Sequence, residues 1–236
     1  MPNIGELPIV QKMLLKLRRQ GLWNILHGLS LEVLNSMVVF KILRGVYVDR
    51  ADPAYLACQD SHKPMFLSAK ALHDFAKDPA TEMSGRFVGD ALDSGDECYA
   101  ICDGANLAAY GWYSTRPTPV GSPDLLLHFA AGYVYMYKGF TDSRYRGQRL
   151  HAIGMTRALE HYLSKGFGGI VSYVESTNFD SLKSCFRMGY KVFGSVLLIR
   201  IFGRYFTFST PGCKAFGFWV GRETPRALPG SARAKN

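Results

Sequence analysis

Apolar positions along this chain switch between the spacing of helices and the spacing of strands. Helical spacing prevails over 9–45, with an interruption at Gly21 and basic residues between the apolar ones. A polar N-cap at Ser68 predicts a helix through Lys77, and a second helix is predicted over about 80–92. Shorter apolar runs between these helices predict strands at 46–48 and 65–67.

Longer strands are predicted in the middle of the chain. The runs 98–102 and 107–114 flank the turn residues 103–106, a pattern typical of a hairpin. After a loop that holds three prolines, one long strand is predicted over 125–141, with a bend at Gly132.

The most informative order of elements follows this strand. A basic turn containing glycine leads into a helix, a strand, a second helix and a late pair of strands. The first helix is predicted to follow the Gly147 turn and to end at Gly166. The further predicted bounds are 169–175 for the strand, 178–188 for the second helix, 191–201 and 204–208 for a hairpin, and 215–220 for a last strand. Helices alternating with strands in this way predict a mixed α/β fold.

Positive charge is concentrated at the two ends of the chain. The net charge is +9 over 236 residues. Residues 1–50 carry seven Lys or Arg against three acids, and residues 222–236 carry four against one. These ends would favour an anionic membrane surface or an acidic carrier protein, or would serve solubility alone; nucleic acid is not expected. The apolar face of 9–45 would lie on a membrane or pack on its own domain.

Cysteine usage and the N-terminus bear on the compartment. The five cysteines, an odd number, have neither disulfide-framework nor zinc-type spacing, so reduced thiols and no metal site are expected. The first eight residues lack the pattern of a signal peptide, and no apolar run is long enough to span a bilayer. We therefore expect a cytoplasmic protein, with peripheral membrane association as an open alternative.

The turn at 144–151 carries a pattern typical of anion binding. Arg144, Arg146 and Arg149 cluster where a helix is predicted to start, with Gln148 as a further donor. The first amides of a helix lack partners within the helix, and its dipole favours negative charge. The turn therefore indicates a phosphate or pyrophosphate site, or else a solvated basic helix start.

Residues 100–208 resemble the core of the GNAT N-acetyltransferase superfamily. Arg146 matches the first position of the family's pyrophosphate loop, and Gly147 matches the glycine that commonly follows it. Arg149 and His151 stand where the family has glycine and glycine or alanine. Residues in a helix's first turn need no positive φ, so we expect both substitutions to be tolerated by the fold. A later family motif is matched by Asn178, Ser181, Gly189 and Tyr190.

The resemblance implies a fold and a domain organisation. The fold is a central, mostly antiparallel sheet with splayed fourth and fifth strands, flanked by helices. The acyltransferase domain that it implies would span 61–221. The residue pattern adds a basic helical extension at 1–60 before this domain and a disordered basic tail at 222–236 after it.

The resemblance also implies a cofactor site. The acyl donor would be acetyl-CoA or another acyl-CoA, and the acyl group, most simply acetyl, would pass to a primary amine. The implied site consists of backbone groups of Phe140 and Thr141 for the pantetheine, the turn for the pyrophosphate, and Asn178 and Ser181. The turn residues are Arg144, Arg146, Gly147, Gln148, Arg149, Leu150 and His151.

Catalytic groups are less clearly marked. Many family members have a proton-donating tyrosine seven residues after the motif asparagine, where this chain has Cys185. That thiol would donate the proton or be a buried helix-face cysteine. Glu175 is a candidate base at the end of its strand. Tyr133, Tyr135 and Tyr137 alternate along one strand face and would line the acceptor pocket or fill the core.

Two other functions remain open. One is a long-chain acyltransferase that takes its acyl group from acyl carrier protein or a long acyl-CoA and acts on a membrane-associated acceptor. The other is a non-catalytic acyl-CoA-binding protein, which Cys185 in place of tyrosine would suit. A homodimer through the C-terminal strands is a further expectation.

Overall fold

The computed structural model of the chain describes residues 38–222. Predictions for 1–37 and 223–236, which include most of the N-terminal helix and the tail, lie outside these residues. The strands are β1 (Val38–Val48), β2 (His62–Phe66), β3 (Glu97–Asp103), β4 (Asn106–Ser114), β5 (Thr118–Val120), β6 (Ser122–His128), β7 (Val134–Thr141), β8 (Ile170–Glu175), β9 (Lys191–Ile201), β10 (Arg204–Ser209) and β11 (Trp219–Gly221). The α-helices are α1 (Ala69–Phe75), α2 (Gly85–Asp93), α3 (Leu150–Ser164) and α4 (Phe179–Arg187).

Eight strands form the main sheet, in the order β10-β9-β1-β8-β7-β4-β3-β2. The registered pairs β1–β8, β2–β3, β3–β4 and β4–β7 are antiparallel, and β7–β8 is parallel. A second sheet has the order β11-β6-β5. The expected mixed fold with a mostly antiparallel sheet is confirmed.

The centre of the main sheet is buried on both faces. Along β3, Cys98 and Ala100 pack with α1 and α2, while Ile101 packs with Leu150 and Ile153 of α3. A strand covered on both faces needs apolar residues at successive positions, which is why β3 reads as a continuous run. The predicted hairpin of β3 and β4 is confirmed.

Local signals set the ends of the helices. Ser68 Oγ accepts a hydrogen bond from Ala71 N and begins α1, as predicted. α4 begins at the Asn178 cap and ends before Gly189, whose φ of +82° suits a residue without a Cβ. Gly166, at φ +88°, closes α3 in the same way.

The parallel contact between β7 and β8 is short. Only Val134 with Ile170 and Tyr135 with Val171 are in register. Beyond these pairs the two strands diverge toward their carboxyl ends, as expected for the splayed pair. On its other side β8 stays paired with β1 from Ile170 to Glu175. The gap therefore opens between β7 and β8 alone.

The chain divides into two compact units. Of the described residues, the smaller unit holds 38–41 and 198–206, and the larger holds 42–197 and 207–222. The elements that flank the gap, β7, α3, β8 and α4, all belong to the larger unit.

The helix predicted over 9–45 is wrong for residues 38–45. These residues form β1, which lies in the main sheet although the sequence assigned 1–60 to a helical extension. The apolar spacing of this segment suits a helix or a strand. Its β-branched residues and its pairing with β8 explain why it is a strand.

Three other predicted elements differ from the structure. The long strand over 125–141 is two strands, because the chain turns at Ala130, whose carbonyl accepts from Tyr133 N. β6 then pairs with β11 in the second sheet. The helix expected from residue 80 begins only at Gly85, since Glu82 at φ +55° ends a short 3-10 turn before it. The last strand is confined to Trp219–Gly221 because Pro211–Phe216 is a 3-10 helix.

Candidate functional site

A cleft of about 360 Å³ occupies the gap between the diverging strands. This volume lies within the range that small-molecule ligands occupy in proteins. It is lined from β7, α3, β8 and α4 by Met136, Tyr137, Gly139, His151, Met155, Ser172, Tyr173, Val174, Asn178, Ser181, Ser184, Cys185 and Met188. The lining includes five predicted site residues: Tyr137, His151, Asn178, Ser181 and Cys185.

His151 connects the cleft to the start of α3. It is the second residue of α3 and also lines the cleft. The first helical hydrogen bond runs from Ile153 N to Arg149 O at 3.0 Å, so the three preceding amides have no partner within the helix. β7 passes close by, because a Cβ on Gly139 would lie 2.5 Å from His151 Cε1. Burial lowers the pKa of His151, which favours the neutral imidazole.

Arg149 adopts a left-handed backbone conformation, with φ +61°, at the N-cap of α3. The expectation that no positive φ is needed here is therefore wrong. The helix begins one residue later, at Leu150, so Arg149 lies outside its first turn. For a residue with a Cβ this conformation costs about 1–2 kcal/mol. Gly147 is also left-handed, at φ +84°.

The three arginines of the turn are not equivalent. Arg144 donates from Nε and Nη2 to the Asp142 carboxylate, with Nη2–Oδ2 at 2.7 Å. Hydrogen bonds from Arg144 lower the pKa of Asp142. Within 38–222 no ion pair engages Arg146 or Arg149, so these two are the arginines available to an anion.

Asn178 acts as a helix cap and lines the cleft. Its Oδ1 accepts a hydrogen bond from Ser181 N at 3.1 Å. The capping role that the sequence suggested is therefore confirmed. Because the cap uses the amide oxygen and holds the side chain at the cleft wall, the amide nitrogen of Asn178 is left to donate to a ligand.

Cys185 is a buried residue of α4 at the edge of the cleft. Burial raises the pKa of its thiol to about 11, so the thiol is protonated at neutral pH. A protonated thiol can give up a proton but is a weak nucleophile. Its side chain also packs with the α3 core.

The three tyrosines of the predicted acceptor pocket lie in different surroundings, and only one of them lines the cleft. Tyr135 and Tyr137 have ring centroids 6.0 Å apart, and Tyr135 is buried in the core. Tyr137 lines the cleft. Tyr133 precedes β7 and packs on Phe216 with centroids 5.1 Å apart.

The remaining predicted residues lie around the cleft rather than in its lining. Phe140 stacks on Tyr110 with centroids 5.2 Å apart, and Thr141 pairs with Ala109 of β4. The Leu150 side chain is buried, which leaves its backbone amide for a ligand. Glu175 ends β8 in register with Leu43 of β1. Gly147 and Gln148 complete the exposed turn before α3.

Two polar side chains near the cleft were missed by the sequence. Ser172 lies inside an apolar strand, and its Oγ donates to Met136 O at 2.7 Å, which joins the two diverging strands. Asp96 precedes β3 and accepts from the Tyr137 hydroxyl at 2.9 Å. A polar serine inside the apolar run 170–175 could have drawn attention to Ser172. No local pattern could have indicated the role of Asp96, because its hydrogen-bond partner Tyr137 is 41 residues away.

Three further observations concern metal ligands, cysteines and apolar helices. Within 38–222 no group of three or more His, Cys, Asp or Glu is arranged to hold a metal ion. All five cysteines are free. None of the helices between residues 38 and 222 is long and apolar enough to cross a membrane.

No family model matches the chain, and no curated protein matches it. Among solved structures, it is similar to a GNAT-family acetyltransferase from Colwellia psychrerythraea (13% identity, 70% of this chain and 57% of that one, TM-score 0.47). It is also similar to an aminoglycoside acetyltransferase from an uncultured soil metagenomic sample (12% identity, 55% of this chain and 88% of that one, TM-score 0.44). A third similar structure is a ribosomal-protein-alanine N-acetyltransferase from Brucella melitensis (14% identity, 53% of this chain and 89% of that one, TM-score 0.41). The first belongs to the family that the motifs resemble.

The left-handed conformation of Arg149 predicts the effect of a glycine there. We expect Arg149→Gly to raise the free energy of unfolding by up to about 1 kcal/mol, because glycine relieves the strain but loses more chain entropy. Arg187→Gly, in the last helical position of α4, is the matched control and should lower it by about 1 kcal/mol. Urea unfolding measures both, and a loss of stability in the first variant would contradict the assigned backbone conformation.

Proposed function

We propose that the protein transfers an acyl group, most simply acetyl, from coenzyme A to a primary amine. The observation that carries this proposal is the continuity between the cleft and the N-terminus of α3 through His151. A long ligand with an anionic end and a thioester end suits such a path. Its phosphates would meet partnerless amides, and its pantetheine arm would enter the gap between β7 and β8.

The donor would be held by the turn before α3. Arg146 and Arg149 supply positive charge, Gly147 and Gln148 supply backbone and side-chain donors, and the amides of Leu150 and His151 lie at the positive end of the helix dipole. Arg144 contributes less, since Asp142 already neutralises it. Phe140 and Thr141 would offer backbone groups to the pantetheine, with Asn178 and Ser181 on the opposite wall.

Cys185 is the proposed proton donor to the leaving thiolate. The residue lies on the wall of the cleft, and burial raises the pKa of its thiol to about 11, so the thiol keeps its proton at neutral pH and is a weak acid. A thiolate leaving group is stabilised when a nearby acid protonates it.

Ligand-induced stabilisation tests the donor. We expect coenzyme A and acetyl-CoA to raise the melting temperature, by an amount equivalent to about 2.7 kcal/mol at 100 times the dissociation constant. Arg146→Ala should weaken binding at least about tenfold, because a charge-assisted hydrogen bond to phosphate is lost. Arg86→Ala removes the same charge from an exposed position on α2 and should leave binding unchanged.

The outcomes of this measurement separate the candidate functions. Stabilisation by acetyl-CoA supports the acetyltransferase. A response confined to long acyl-CoAs or to acyl carrier protein supports the long-chain alternative instead. Binding without turnover of any amine supports a non-catalytic acyl-CoA-binding protein. If no pantetheine ligand binds, or if Arg146→Ala binds coenzyme A normally, the proposed donor site is wrong.

One observation favours a membrane-associated acceptor. In the smaller unit, Phe40, Ile201, Phe202 and Phe206 expose apolar surface; we call these four residues the hairpin patch. Phe202 is 76% exposed and left-handed at φ +47°, followed by Gly203 at φ +78°. Such a turn favours Asn-Gly, so an aromatic ring is held at its tip at a cost in strain.

The charge of the smaller unit complements an anionic lipid surface. By sequence, this unit (residues 1–41 and 198–206) carries seven Lys or Arg against two acids. Aromatic rings beside basic residues bind the interface of anionic membranes through both burial and charge. We therefore propose that the hairpin patch contacts an anionic lipid surface and brings the enzyme to an acceptor there.

Vesicle sedimentation tests the hairpin patch. The whole protein should co-sediment with vesicles of phosphatidylserine and phosphatidylcholine and only weakly with phosphatidylcholine alone. Phe202→Ser should weaken binding about 10- to 100-fold, since a buried phenyl ring contributes about 1.5–3 kcal/mol. Phe186→Ser, at an exposed position of α4, is the matched control. Equal binding by the Phe202 variant, or no binding by the wild type, would contradict the membrane contact.

A further inference from the structure

A buried carboxylate lies behind the wall of the cleft. Asp96, in the connection from α2 to β3, is only 8% exposed. Its Oδ2 accepts a hydrogen bond from the Tyr137 hydroxyl at 2.9 Å, and Tyr137 lines the cleft. Within the described chain, Asp96 Oδ1 has no hydrogen-bond partner of standard geometry. Burying a carboxylate that is only partly hydrogen-bonded is costly, so this residue stands out among the groups near the cleft.

Tyr137 lies at a β-bulge of the main sheet. Trp112 of β4 pairs with Lys138, and Tyr113 pairs with Met136, so Tyr137 is an extra residue without a partner on β4. Such a bulge re-aims the side chain at its position. Met136 packs with the α3 core, whereas the Tyr137 ring lies beside Phe87 of α2. Tyr137 therefore belongs to the wall of the cleft, and its hydroxyl is hydrogen-bonded to the buried carboxylate.

The electrostatic surroundings of this carboxylate favour uptake of a proton. Burial raises the pKa of Asp96, while the side chains of Ser114 and Tyr137 and the charge of Arg116 oppose the shift. Cys98 of β3, Tyr135 of β7 and Tyr162 of α3 are further titratable groups that interact with the pair. Lys138 is engaged elsewhere, since its amine donates to Glu82 O and lies over the Phe87 ring.

From this arrangement we infer that Tyr137 and Asp96 form the route by which the acceptor amine loses its proton. The inference rests on the proposed acyl transfer. Tyr137 is the group that touches the amine, and Asp96 acts through it. Glu175, the carboxylate that the sequence suggested, is not in the lining of the cleft.

The transfer step conserves atoms and electrons. The lone pair of a neutral amine forms the new C–N bond at the thioester carbonyl, and the C–S electron pair leaves with the sulfur. The amine nitrogen gives a proton to the Tyr137 oxygen as the Tyr137 proton passes to Asp96. The thiolate is then protonated by Cys185 or by water. No oxidant or metal is needed.

The chain offers a matched control in the carboxylate next to Asp96. Tyr162 of α3 donates to Glu97 Oε2 at 3.0 Å, so it forms the same kind of tyrosine–carboxylate bond. Tyr162 is buried in the α3 core and does not line the cleft. Tyr162→Phe therefore removes an equivalent hydrogen bond at a residue that contributes no atom to the lining of the cleft.

Transfer rates with acetyl-CoA and a panel of primary amines (2-phenylethylamine, spermidine and a lysine-containing peptide) test the inference, read as release of free thiol. Asp96→Asn and Tyr137→Phe should each lower kcat about 100-fold, the usual contribution of a general base, with KM for acetyl-CoA unchanged. The double variant should be no slower than either single one, because the two groups act in series. Tyr162→Phe should stay within about threefold of wild type.

The pH profile separates a proton route from a structural role. Asp96 accepts a proton only when ionised, so kcat of the wild type should rise with pH through its raised pKa. The Asn variant should lose that rise, whereas loss of packing alone would lower the melting temperature and leave the profile in place.

Two results would overturn the inference while leaving the donor site intact. One is an active wild type whose Asp96→Asn variant keeps its rate and pH profile. The other is a wild type that binds coenzyme A but acylates no amine of the panel. Failure to bind any pantetheine ligand would instead overturn the proposed function and this inference with it.

Discussion

The divergence of β7 from β8 is the constraint on which the site depends. Parallel pairing stops after Tyr135 and Val171, so each strand beyond that point has one edge without a backbone partner from the other. Buried backbone groups need partners, and here a side chain supplies one of them: Ser172 Oγ donates to Met136 O across the gap. β1 and β4 hold the outer edges of the pair, which keeps the cleft open without unravelling the sheet.

Two charged features border this gap. One is the start of α3, which presents its first amides and the cations of Arg146 and Arg149, which together suit an anionic ligand. The other is the Asp96 carboxylate, which is held behind Tyr137. In the proposed acyl transfer, a thioester whose phosphates bind at α3 would enter the cleft that Tyr137 lines. The arrangement accounts for positive charge outside the cleft and negative charge behind its wall.

The sequence predicted the elements whose signals are local. The caps at Ser68 and Asn178, the glycines that close α3 and α4, and the hairpin of β3 and β4 all follow from short-range chemistry. The first strand could not be recognised, because its apolar spacing also suits a helix and only its pairing with β8 decides between them. The Asp96–Tyr137 bond joins distant residues and leaves no mark on either local pattern. The strain at Arg149 was missed because it depends on where α3 begins, to within one residue.

Hydrogen exchange with and without coenzyme A tests most directly whether the cleft and the α3 turn form one binding site. Amides of a binding site exchange more slowly when a ligand covers them or reduces local opening. We expect slower exchange in peptides covering 137–153 and 172–182, with α2 (Gly85–Asp93) unchanged as an internal reference. Slower exchange confined to another part of the chain, or no change in 137–153 at saturating coenzyme A, would contradict a single binding site.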